Sequence, residues 1–502
     1  MSKVNEDFNV AKSYGTATEG ARNSQPAPKP SNIFGVRHLQ TLLMFLCLTV
    51  AYSLRVNLSV GIVAMMDRNT TGVDFPEYHW SQQTKSTILS SFFWGYVITQ
   101  VPAGQLGQRF GPKILLTGAL FMCSLFSILT PLAAEVGDWG LVCGARVIQG
   151  LSQGFVFPSI HTLLSSWTPT EERGRLATYV YAGAQVGTIL AMSACGALSS
   201  SVIGWPSVFY IFGGLGIGWA ILWAFLGADR PGTHNFISEE EKLYIETNLG
   251  STVSTNSKRK TPWIGIFTSV PMWALIIAHC GQNWGFWTLL TEMPSYMDKV
   301  LNFDLSSNGL LSALPYLVMW LMSFVFSWVS DILHTRQLIG LSASRKIFNS
   351  IGHWIPGVAL IGLAFSSKDN TTGAVALLTL AVGVNSATYL GFQLNHIDLS
   401  PNYAGTMMGI TNCAANIMSI IAPLLVGYIV TDEASETQWQ IVFFISSGIY
   451  FAGNLIFVLF GKAEIQPWNE PTRNRLRIIR DSDIMGLSLL YVYNVDGHNA
   501  KA

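Results

Sequence analysis

Charged residues are scarce in this chain. Only 12% of its 502 residues are Asp, Glu, Lys or Arg, whereas soluble proteins contain about 25%. A water-exposed surface of this size needs far more charge, so the composition excludes an ordinary cytosolic enzyme and a disordered chain. The 29 Lys and Arg residues equal the 29 Asp and Glu residues in number. Without a basic excess, no nucleic-acid partner is expected.

The sequence also lacks the motifs that carry catalysis or hold a cofactor. Its six cysteines lie singly inside apolar runs, without the spacing of a disulfide framework or a metal site. No GxxxxGK[ST] loop is present, so ATP-driven transport by this chain is not expected. No group of His, Asp and Ser predicts a catalytic site. We therefore predict that the protein is not an enzyme and contains no metal or cofactor.

Long apolar segments are what the sequence has in quantity. Half of the residues are hydrophobic, and the mean hydropathy is +0.37. A bilayer core of about 30 Å requires about 20 apolar residues per helix. Scanning with that window predicts twelve membrane spans, at about 38–66, 88–108, 113–133, 139–164, 176–200, 205–227, 270–291, 308–330, 346–366, 372–393, 403–430 and 440–460.

A long polar break divides these spans into six and six. It predicts a disordered cytosolic tail (1–36), an N-terminal six-helix bundle (37–228), a central cytosolic loop (229–269), a C-terminal six-helix bundle (270–462) and a cytosolic tail (463–502). Two six-span halves joined by a long loop are typical of major facilitator transporters. The predicted fold is therefore an all-α membrane protein with twelve transmembrane helices in two six-helix bundles.

The distribution of charge predicts the orientation in the membrane. If both termini are cytosolic, only four basic residues fall in loops on the outer side, as the positive-inside rule requires. The two usable N-x-Ser/Thr acceptors, Asn69 and Asn370, then fall on the outer or lumenal face. Both results predict cytosolic termini and glycosylation at Asn69 and Asn370.

Two arginines lie inside predicted spans, where an ionisable side chain is costly and commonly functional. Arg55 lies in span one and Arg146 in span four. Their depths would allow both guanidinium groups to reach a shared cavity, where their fork geometry suits carboxylate or phosphate oxygens. The alternative is that each arginine pairs with a buried acid or extends toward the interface. The first six spans contain no clear acidic partner, so we favour a binding site for an anion.

Further polar side chains could complete this site. Gln149 and Gln153 follow Arg146 on the same helical face and would add neutral hydrogen bonds, although polar contacts between helices are an equal alternative. In span seven, Gln282 and Asn283 are further binding candidates.

Span seven also contains two candidates for coupling or gating. His279 could hold a coupling proton, because imidazole titrates near neutral pH. Glu292, near the outer end of the same span, could act as a gate partner or cation ligand. A structural role is the alternative for both side chains.

Several sequence blocks resemble a known family. They are RVNLSVGIVAM (55–65), SFFWGYVITQ (91–100), SSWTPTEERGRLA (165–177), GWPSVFY (204–210), AHCGQNWGFW (278–287), LSALPYL (311–317) and NHIDLSPNYAG (395–405). These blocks are similar to the anion:cation symporter family of the major facilitator superfamily. That family includes sodium/phosphate cotransporters, sialin and vesicular glutamate transporters. The resemblance covers about residues 36–470 and is nearest to the sialin-like and insect inorganic phosphate cotransporter branches.

The resemblance implies roles for individual residues. Arg55 and Arg146 match family arginines associated with the substrate anion, and His161 matches a histidine at the inner end of span four. Gln282 stands where vesicular glutamate transporters have an arginine, which disfavours glutamate as a substrate. Gln153 stands where sialin and the glutamate transporters have a glutamate linked to proton coupling.

In each half of the chain, a loop of the same kind follows the second span. Arg109 lies in GQLGQRFGPK (104–113), and Asp331 lies in SWVSDILHTR (327–336). In the family, the first loop forms a cytosolic latch and usually has an acid before its arginine. Here Gln108 takes that place, so a gating role is predicted for Arg109 and Asp331 with a weaker latch.

These observations predict a secondary active transporter that moves a small anion by alternating access. The anion would be inorganic phosphate or an organic anion, and the coupling ion Na⁺ or H⁺. A proton-coupled lysosomal or vesicular exporter of acidic sugars or amino acids is the alternative. A channel is disfavoured because no repeated polar ring is visible. We expect a monomer in the lipid bilayer, in the plasma membrane rather than in a lysosomal or vesicular membrane.

Overall fold

A computed structural model describes residue 30 and residues 34–66, 76–199, 201–249, 260–300, 309–366, 370–432 and 435–469. Throughout these ranges the chain is helical and forms no β-strand. The first half contains α1 (Val36–Met66), α2 (Gln82–Phe110), α3 (Pro112–Ile128), α4 (Thr130–Gln153), α5 (Val156–Trp167), α6 (Arg173–Ser199), α7 (Pro206–Leu226) and α8 (Glu239–Leu249). The second half contains α9 (Trp263–Phe267), α10 (Val270–Lys299), α11 (Gly309–Thr335), α12 (Leu341–Ala364), α13 (Thr371–Asn385), α14 (Phe392–Leu399), α15 (Ala404–Ile429) and α16 (Glu436–Phe460).

These helices follow the predicted spans closely. In the described part of the chain, eight segments are long and apolar enough to cross a membrane, and the bent pair of α3 with α4–α5 would be a ninth. Helices α2 and α10 are similarly long, at 29 and 30 residues, but are not among these segments. The prediction of an all-α membrane protein is confirmed.

The helical conformation is interrupted at three places within or between the predicted spans. Gly137 and Asp138 leave the helical conformation within α4, at the boundary predicted between spans three and four. Asp138 has a φ of 49°, and its carboxylate accepts a hydrogen bond of 2.6 Å from the indole of Trp80. Gly154 separates α4 from α5 inside span four. A 3-10 turn at Ser386–Tyr389 separates α13 from α14 inside span ten.

Each half of the chain packs its helices mainly within its own bundle. In the N-terminal half, α1 packs on α6, α2 on α4 and α3 on α7. In the C-terminal half, α10 packs on α15 and α16, and α12 on α16. The two halves meet along α2 with α15 and along α6 with α11. The boundary between bundles therefore runs down the middle of the molecule.

Small residues allow α1 and α6 to approach closely. A Cβ at Gly183 would lie 2.3 Å from the carbonyl oxygen of Phe45, and one at Gly187 would lie 2.2 Å from that of Thr49. Such distances leave no room for any side chain. The small-residue face of span five is thus a contact surface within the N-terminal bundle, as is usual for such faces in membrane helices.

The central segment is held against the N-terminal bundle by buried charges. Arg37, at the start of α1 and 0% exposed, forms ion pairs of 2.9 Å with Glu172 and with Glu241 of α8. The Glu241 carboxylate also accepts hydrogen bonds from the backbone N–H groups of Val36 and Arg37. One acid thus satisfies both the arginine and the free N–H groups that begin α1.

Tyr244 and Ile245 of α8 are also buried against this bundle. Helix α8 thus lies within the predicted central loop (229–269), and one of its faces is inside the protein. Proximity to Glu172 and burial raise the pKa of the Tyr244 phenol to about 12, with burial as the larger cause.

Glu241→Ala should destabilise the protein by about 1.5–3 kcal/mol, the value of a hydrogen bond to a charged group. The variant leaves the start of α1 uncapped and removes one of the two acids that neutralise Arg37. Thermal unfolding of the purified protein measures the change. Glu239→Ala is the matched control, because Glu239 lies on the same helix with a side chain that is 87% exposed. Equal unfolding temperatures for the two variants would contradict the anchoring role of Glu241.

Candidate functional site

A cavity of about 110 Å³ lies between the two bundles. One buried water needs about 10–15 Å³ of such space, so the cavity can hold several waters or one small solute. Its walls contain eight aromatic side chains, including Tyr52 and Tyr181 from the N-terminal bundle and Trp287 and Phe392 from the C-terminal bundle. Six amide side chains also line it: Gln185, Gln282, Asn283, Gln393, Asn412 and Asn416.

Arg55 is the single charged side chain that lines the cavity among the described residues. It is 8% exposed, and its Nε and Nη2 atoms donate hydrogen bonds of 3.3 and 3.2 Å to the Gln153 side-chain oxygen. The guanidinium carbon lies 4.9, 4.9 and 4.5 Å from the ring centres of Tyr52, Phe92 and Tyr96. These aromatic faces fix the cation and partly offset its burial, without supplying a negative charge.

Arg146 lies behind Arg55 rather than in the cavity wall. It is 3% exposed and donates 2.9 Å to the Gln149 side-chain oxygen and 3.2 Å to the backbone carbonyl of Arg55. Its guanidinium carbon lies 4.9 Å from the ring centre of Phe92, and its Nε has no hydrogen-bond partner in the described structure. The predicted common cavity thus contains one of the two arginines, and the other holds the backbone that carries it.

The glutamines of span four bind these arginines. Gln149 is buried beside Arg146, and Gln153 is buried between Arg55, the Ala51 carbonyl at 2.8 Å and the sulfur of Cys123 at 3.3 Å. Neither glutamine lines the cavity. Their polar atoms therefore orient the cations, and a direct role in binding the substrate stays a prediction.

Span seven supplies the opposite wall. Gln282 and Asn283 both line the cavity. Gln282 hydrogen-bonds to the side chain of Asn385, and Asn283 donates 3.2 Å to Ser419. His279 lines the cavity as well. Glu292 lies on α10, but its side chain is outside the described part of the structure.

The end of the molecule where α2 ends and α15 begins is closed by direct contact between the bundles. A Cβ at Gly104 would lie 2.4 Å from Cα of Thr406, and one at Gly409 would lie 2.3 Å from the carbonyl oxygen of Gln100. Gln105 donates a hydrogen bond of 3.1 Å to Thr406. We call this the closed end; it is the cytosolic end in the predicted topology.

Charged pairs also cross between the bundles at the closed end. Arg175, at the start of α6, lies 3.5 Å from Asp331 of α11. Arg173 lies 3.8 Å from Asp398 of α14, which forms a closer pair with Arg345, at 2.6 Å. Because Arg173 and Asp398 are both less than 10% exposed, this pair is little weakened by solvent.

The two loop residues with a predicted gating role, Asp331 and Arg109, have different surroundings. Asp331 takes part in the contact with Arg175. Arg109 is exposed and lies over the ring of its neighbour Phe110, 5.2 Å from the ring centre. Its neighbour Gln108 instead donates to Thr406 and to the Asn402 carbonyl across the bundle boundary. Substitution of the usual acid by Gln108 therefore leaves a neutral contact where the family motif has a charge.

Sequence reasoning missed most of the closed end. Arg173 and Arg175 lie inside SSWTPTEERGRLA, a block that carries the resemblance, and Asp398 lies in NHIDLSPNYAG near the predicted cytosolic boundary, where its side chain is expected to stabilise the helix end or an inner gate. A buried pair between loops that are more than 200 residues apart leaves no signal in a single sequence. The signal that was available is the group of charges at the start of span five, where Arg173 and Arg175 flank Gly174.

Of the two predicted glycosylation sites, Asn69 lies outside the described residues. Asn370 is exposed and begins α13, where its side-chain oxygen accepts 3.0 Å from the Gly373 N–H. This position is accessible to solvent, and glycosylation of both sites stays a prediction.

Comparison with known proteins identifies close relatives. The family model of the Major Facilitator Superfamily matches residues 44–423. The chain is 41% identical over 470 residues to a "Putative inorganic phosphate cotransporter" of Drosophila melanogaster, covering 88% of each chain. It is 37% identical over 470 residues to sialin of Homo sapiens, covering 89% of this chain and 93% of sialin. It is also 35% identical over 481 residues to vesicular glutamate transporter 3 of Danio rerio, covering 94% of this chain and 81% of that protein.

Solved structures with low sequence identity share the fold. The proton:xylose symporter XylE matches with a TM-score of 0.68 and 14% identity, over 86% of this chain and 97% of XylE. FucP, in its outward conformation, matches with a TM-score of 0.60 and 12% identity, over 83% of this chain and 99% of FucP. Together with the long helices of the described residues, these matches confirm the predicted major facilitator fold of two six-helix bundles.

Proposed function

This chain belongs to the major facilitator superfamily and is a multi-pass secondary active transporter of small anions, and on that premise we propose that its substrate is an organic anion with one negative charge. The observation that carries the proposal is the cavity wall, in which Arg55 is the single charged side chain among the described residues. A carboxylate can accept two parallel hydrogen bonds from one guanidinium group.

The rest of the wall suits an organic body. Aromatic side chains such as Phe157, Phe286 and Trp287 bind apolar or ring-shaped groups through their faces. The amides Gln282, Asn283 and Asn416 offer both donors and acceptors to hydroxyl or amide groups. A small tetrahedral oxyanion would contact Arg55 and leave most of this wall without a partner.

Inorganic phosphate is the second candidate, supported by the relative named as an inorganic phosphate cotransporter. A doubly charged phosphate would bring a second negative charge into a buried site with one cation, and an uncompensated buried charge costs several kcal/mol. The singly charged form avoids this cost. The structure of the cavity therefore favours the organic anion, and the family relationship keeps phosphate as the alternative.

We propose that transport is coupled to a co-transported H⁺ rather than Na⁺. We also propose that the protein functions as a monomer in the plasma membrane, with both termini in the cytosol.

The closed end supports an alternating-access cycle, because it separates one side of the membrane from the cavity in this state. A ligand shifts the equilibrium between the state that is closed at this end and the state that is open there only if its affinity differs between the two states. The anion at Arg55 and the coupling ion must therefore each bind the two states with different affinities.

Uptake into proteoliposomes tests the substrate and the coupling ion together. Labelled sialate, urate, glutamate and phosphate are offered under an imposed H⁺ gradient or an imposed Na⁺ gradient. At about pH 8, where most inorganic phosphate is doubly charged, we expect sialate or urate to be taken up with kcat/KM roughly tenfold above that of phosphate, because only the minor singly charged form of phosphate escapes the charge penalty. Uptake should follow the H⁺ gradient and be abolished by a protonophore.

Preferential uptake of phosphate would refute the organic-anion proposal, and dependence on Na⁺ alone would refute proton coupling. Vesicles without reconstituted protein serve as the control for passive leak of each solute.

A further inference from the structure

Three histidines meet beneath the cavity at the boundary between the bundles. His161 belongs to α5 of the N-terminal bundle, whereas His279 of α10 and His396 of α14 belong to the C-terminal bundle. The ring centres of His161 and His396 lie 5.3 Å apart, and those of His279 and His396 lie 6.1 Å apart. All three side chains are less than 5% exposed. We call these residues the histidine cluster.

The hydrogen bonds determine where each neutral ring carries its proton. Nδ1 of His161 lies 3.1 Å from the Phe157 carbonyl, and Nδ1 of His396 lies 3.0 Å from the Gln393 carbonyl. A carbonyl oxygen only accepts hydrogen bonds, so Nδ1 of His396 carries hydrogen and its Nε2 is an acceptor. Both nitrogens of His161 face carbonyls, because its Nε2 lies 3.2 Å from the Gln393 carbonyl, and a neutral ring can donate to one of them at a time. When Nδ1 of His161 donates to Phe157, its Nε2 accepts from the Tyr181 hydroxyl at 3.0 Å.

Thr411 joins the other two rings. Its Oγ1 lies 2.7 Å from Nε2 of His396 and 3.1 Å from Nδ1 of His279. Since Nε2 of neutral His396 accepts, the threonine hydroxyl donates to it and accepts from Nδ1–H of His279. His279 lines the cavity, and its Nε2 makes no hydrogen bond within the described residues. A continuous chain of hydrogen bonds thus runs from the cavity to His396.

We propose that the histidine cluster is a proton-binding site that stabilises the closed end only while all three rings are neutral, so that uptake of one proton opens that end. The proposal rests on the proposed function, for which it names the site of the coupling proton. A proton from cavity water binds Nε2 of His279. Nδ1–H of His279 then passes to Thr411 while the Thr411 hydroxyl proton passes to His396. His279 ends neutral and His396 ends as an imidazolium, with the number of protons conserved.

Burial and charge make the closed end unfavourable once the cluster is protonated. Among the described residues, no acid bonds or pairs with any of the three rings. A buried ion without an opposite charge is strongly disfavoured. The imidazolium would also lie within about 6 Å of its two neutral neighbours, so a second proton is excluded by like-charge repulsion. Opening the closed end admits water and removes this penalty.

One contact would stabilise the closed end after protonation, but its free energy is smaller than the cost of burying the ion. Nε2 of His161 lies 3.2 Å from the Gln393 carbonyl across the bundle boundary, and a protonated His161 could donate to it. A hydrogen bond from a charged donor returns less free energy than the burial of an unpaired ion costs. The net effect of protonation is therefore to open the closed end.

The neighbouring ionisable groups do not supply the missing negative charge. Tyr181 of α6 and Tyr389 after α13 face the cluster with phenols, and His353 of α12 lies behind His279. The helices α1, α2 and α3, which also pack on α5, contribute Tyr52, Tyr96 and Cys123 beside Arg55. Helix α15 contributes Thr411, which does not titrate. The one nearby acid, Asp398, is paired with Arg345 and Arg173.

Hydrogen–deuterium exchange of the full-length protein in lipid nanodiscs, without substrate, tests the proposal. Exchange at α5 and at the start of α15 is measured at pH 7.5 and pH 5.5 and corrected for the intrinsic pH dependence of exchange. We take one imidazole that stays neutral in the closed state and binds a proton near pH 6.5 in the open state. The ratio of open to closed protein then rises by about tenfold between pH 7.5 and pH 5.5. We expect wild-type protection at the closed end to fall by that factor at pH 5.5.

His279→Gln and His396→Gln should each reduce the pH effect to less than about threefold, since His279 receives the proton from the cavity and His396 holds it. His353→Gln is the matched control. His353 is a buried histidine of the C-terminal bundle whose nitrogens face the Asn349 and Ala278 carbonyls of the same bundle. It should retain the tenfold change. Two separate variants keep the test decisive if one fails to fold.

Protection that is independent of pH in the wild type, or that increases in acid, would overturn the proposal. So would an unchanged pH effect in both cluster variants. Because this measurement uses no substrate, its outcome is separate from that of the uptake experiment. Failure of the histidine proposal leaves anion uptake intact, and a wrong substrate assignment leaves the exchange result intact.

Discussion

Arg55→Ala should reduce kcat/KM for anion uptake by about 30-fold or more, the effect of removing 2–5 kcal/mol of interaction with a buried charge. Arg55 is the single charged side chain on the cavity wall in the described structure, so no neighbouring cation can replace it. The variant also leaves the Gln153 oxygen without its two guanidinium bonds. Initial rates of uptake into proteoliposomes, normalised to the amount of reconstituted protein, measure the effect.

Arg55→Lys distinguishes charge from geometry. Lysine retains the positive charge but cannot form two parallel bonds to a carboxylate. We therefore expect Arg55→Lys to recover part of the activity, with a raised KM. If Arg55→Ala retained at least a third of wild-type uptake, the cavity would not be the site of anion binding. Thermal unfolding of both variants establishes that the fold is retained.

Arg146 gives a useful comparison because it was expected to play the same role as Arg55. In the structure it donates to the Arg55 carbonyl and to Gln149, and it is not part of the cavity wall. Arg146 therefore holds the backbone of Arg55 in place, and its direct contact with the anion stays a prediction. Sequence position alone could not separate the two residues, because the difference depends on which side of each helix faces the boundary between bundles.

The large-scale fold was predictable for a simple physical reason. A span must be apolar along its whole length, so the hydropathy of the chain marks nearly every transmembrane helix. Even the break at Gly137 and Asp138 falls at the predicted boundary, since glycine and aspartate interrupt the apolar run there. The attachment of α8 was not predictable. In the sequence, Glu241 is one of three consecutive acids, and its role depends on Arg37, 204 residues earlier.

The candidate site was predictable only in part, because a cavity between two bundles combines residues from distant spans. Arg55 could be chosen because an ionisable group in a membrane span is conspicuous. Asn412, in contrast, looks like an ordinary amide in an apolar helix. It donates 3.0 Å to Tyr96 and 3.0 Å to Gln100, partners more than 300 residues away. Such contacts depend on how the two bundles dock, which local sequence patterns do not determine.

The closed end gives the second large prediction. Three glycines, Gly104, Gly405 and Gly409, let backbone meet backbone between the bundles. At Gly405 a Cβ would lie 2.2 Å from the Thr162 hydroxyl and 2.6 Å from the Pro158 carbonyl. At Gly409 it would lie 2.3 Å from the Gln100 carbonyl and 3.4 Å from Cα of Val101. These neighbours are mostly backbone, which cannot move aside as a flexible side chain would.

Gly409→Val should therefore prevent the bundles from closing at this end and reduce uptake by about 10- to 100-fold. Overpacking at a tight contact costs about 1–3 kcal/mol, and that cost falls on the closed state alone, because the bundles separate in the open state. The open-to-closed ratio shifts by the same factor. Uptake and hydrogen–deuterium exchange at the closed end should change together, with faster exchange in the variant at neutral pH.

Gly427→Val is the matched control, because Gly427 lies on the same helix, α15, with no atom within 4 Å of its expected Cβ. It carries the same change in helix propensity without the contact between bundles, so uptake and exchange should remain near wild type. If Gly409→Val transported normally, contact between α2 and α15 would not be required in the cycle. If the two variants lost activity equally, the effect would arise from valine in the helix rather than from closure. Loss in Gly409→Val alone would show that the transporter must bring these two backbones together in order to move its substrate.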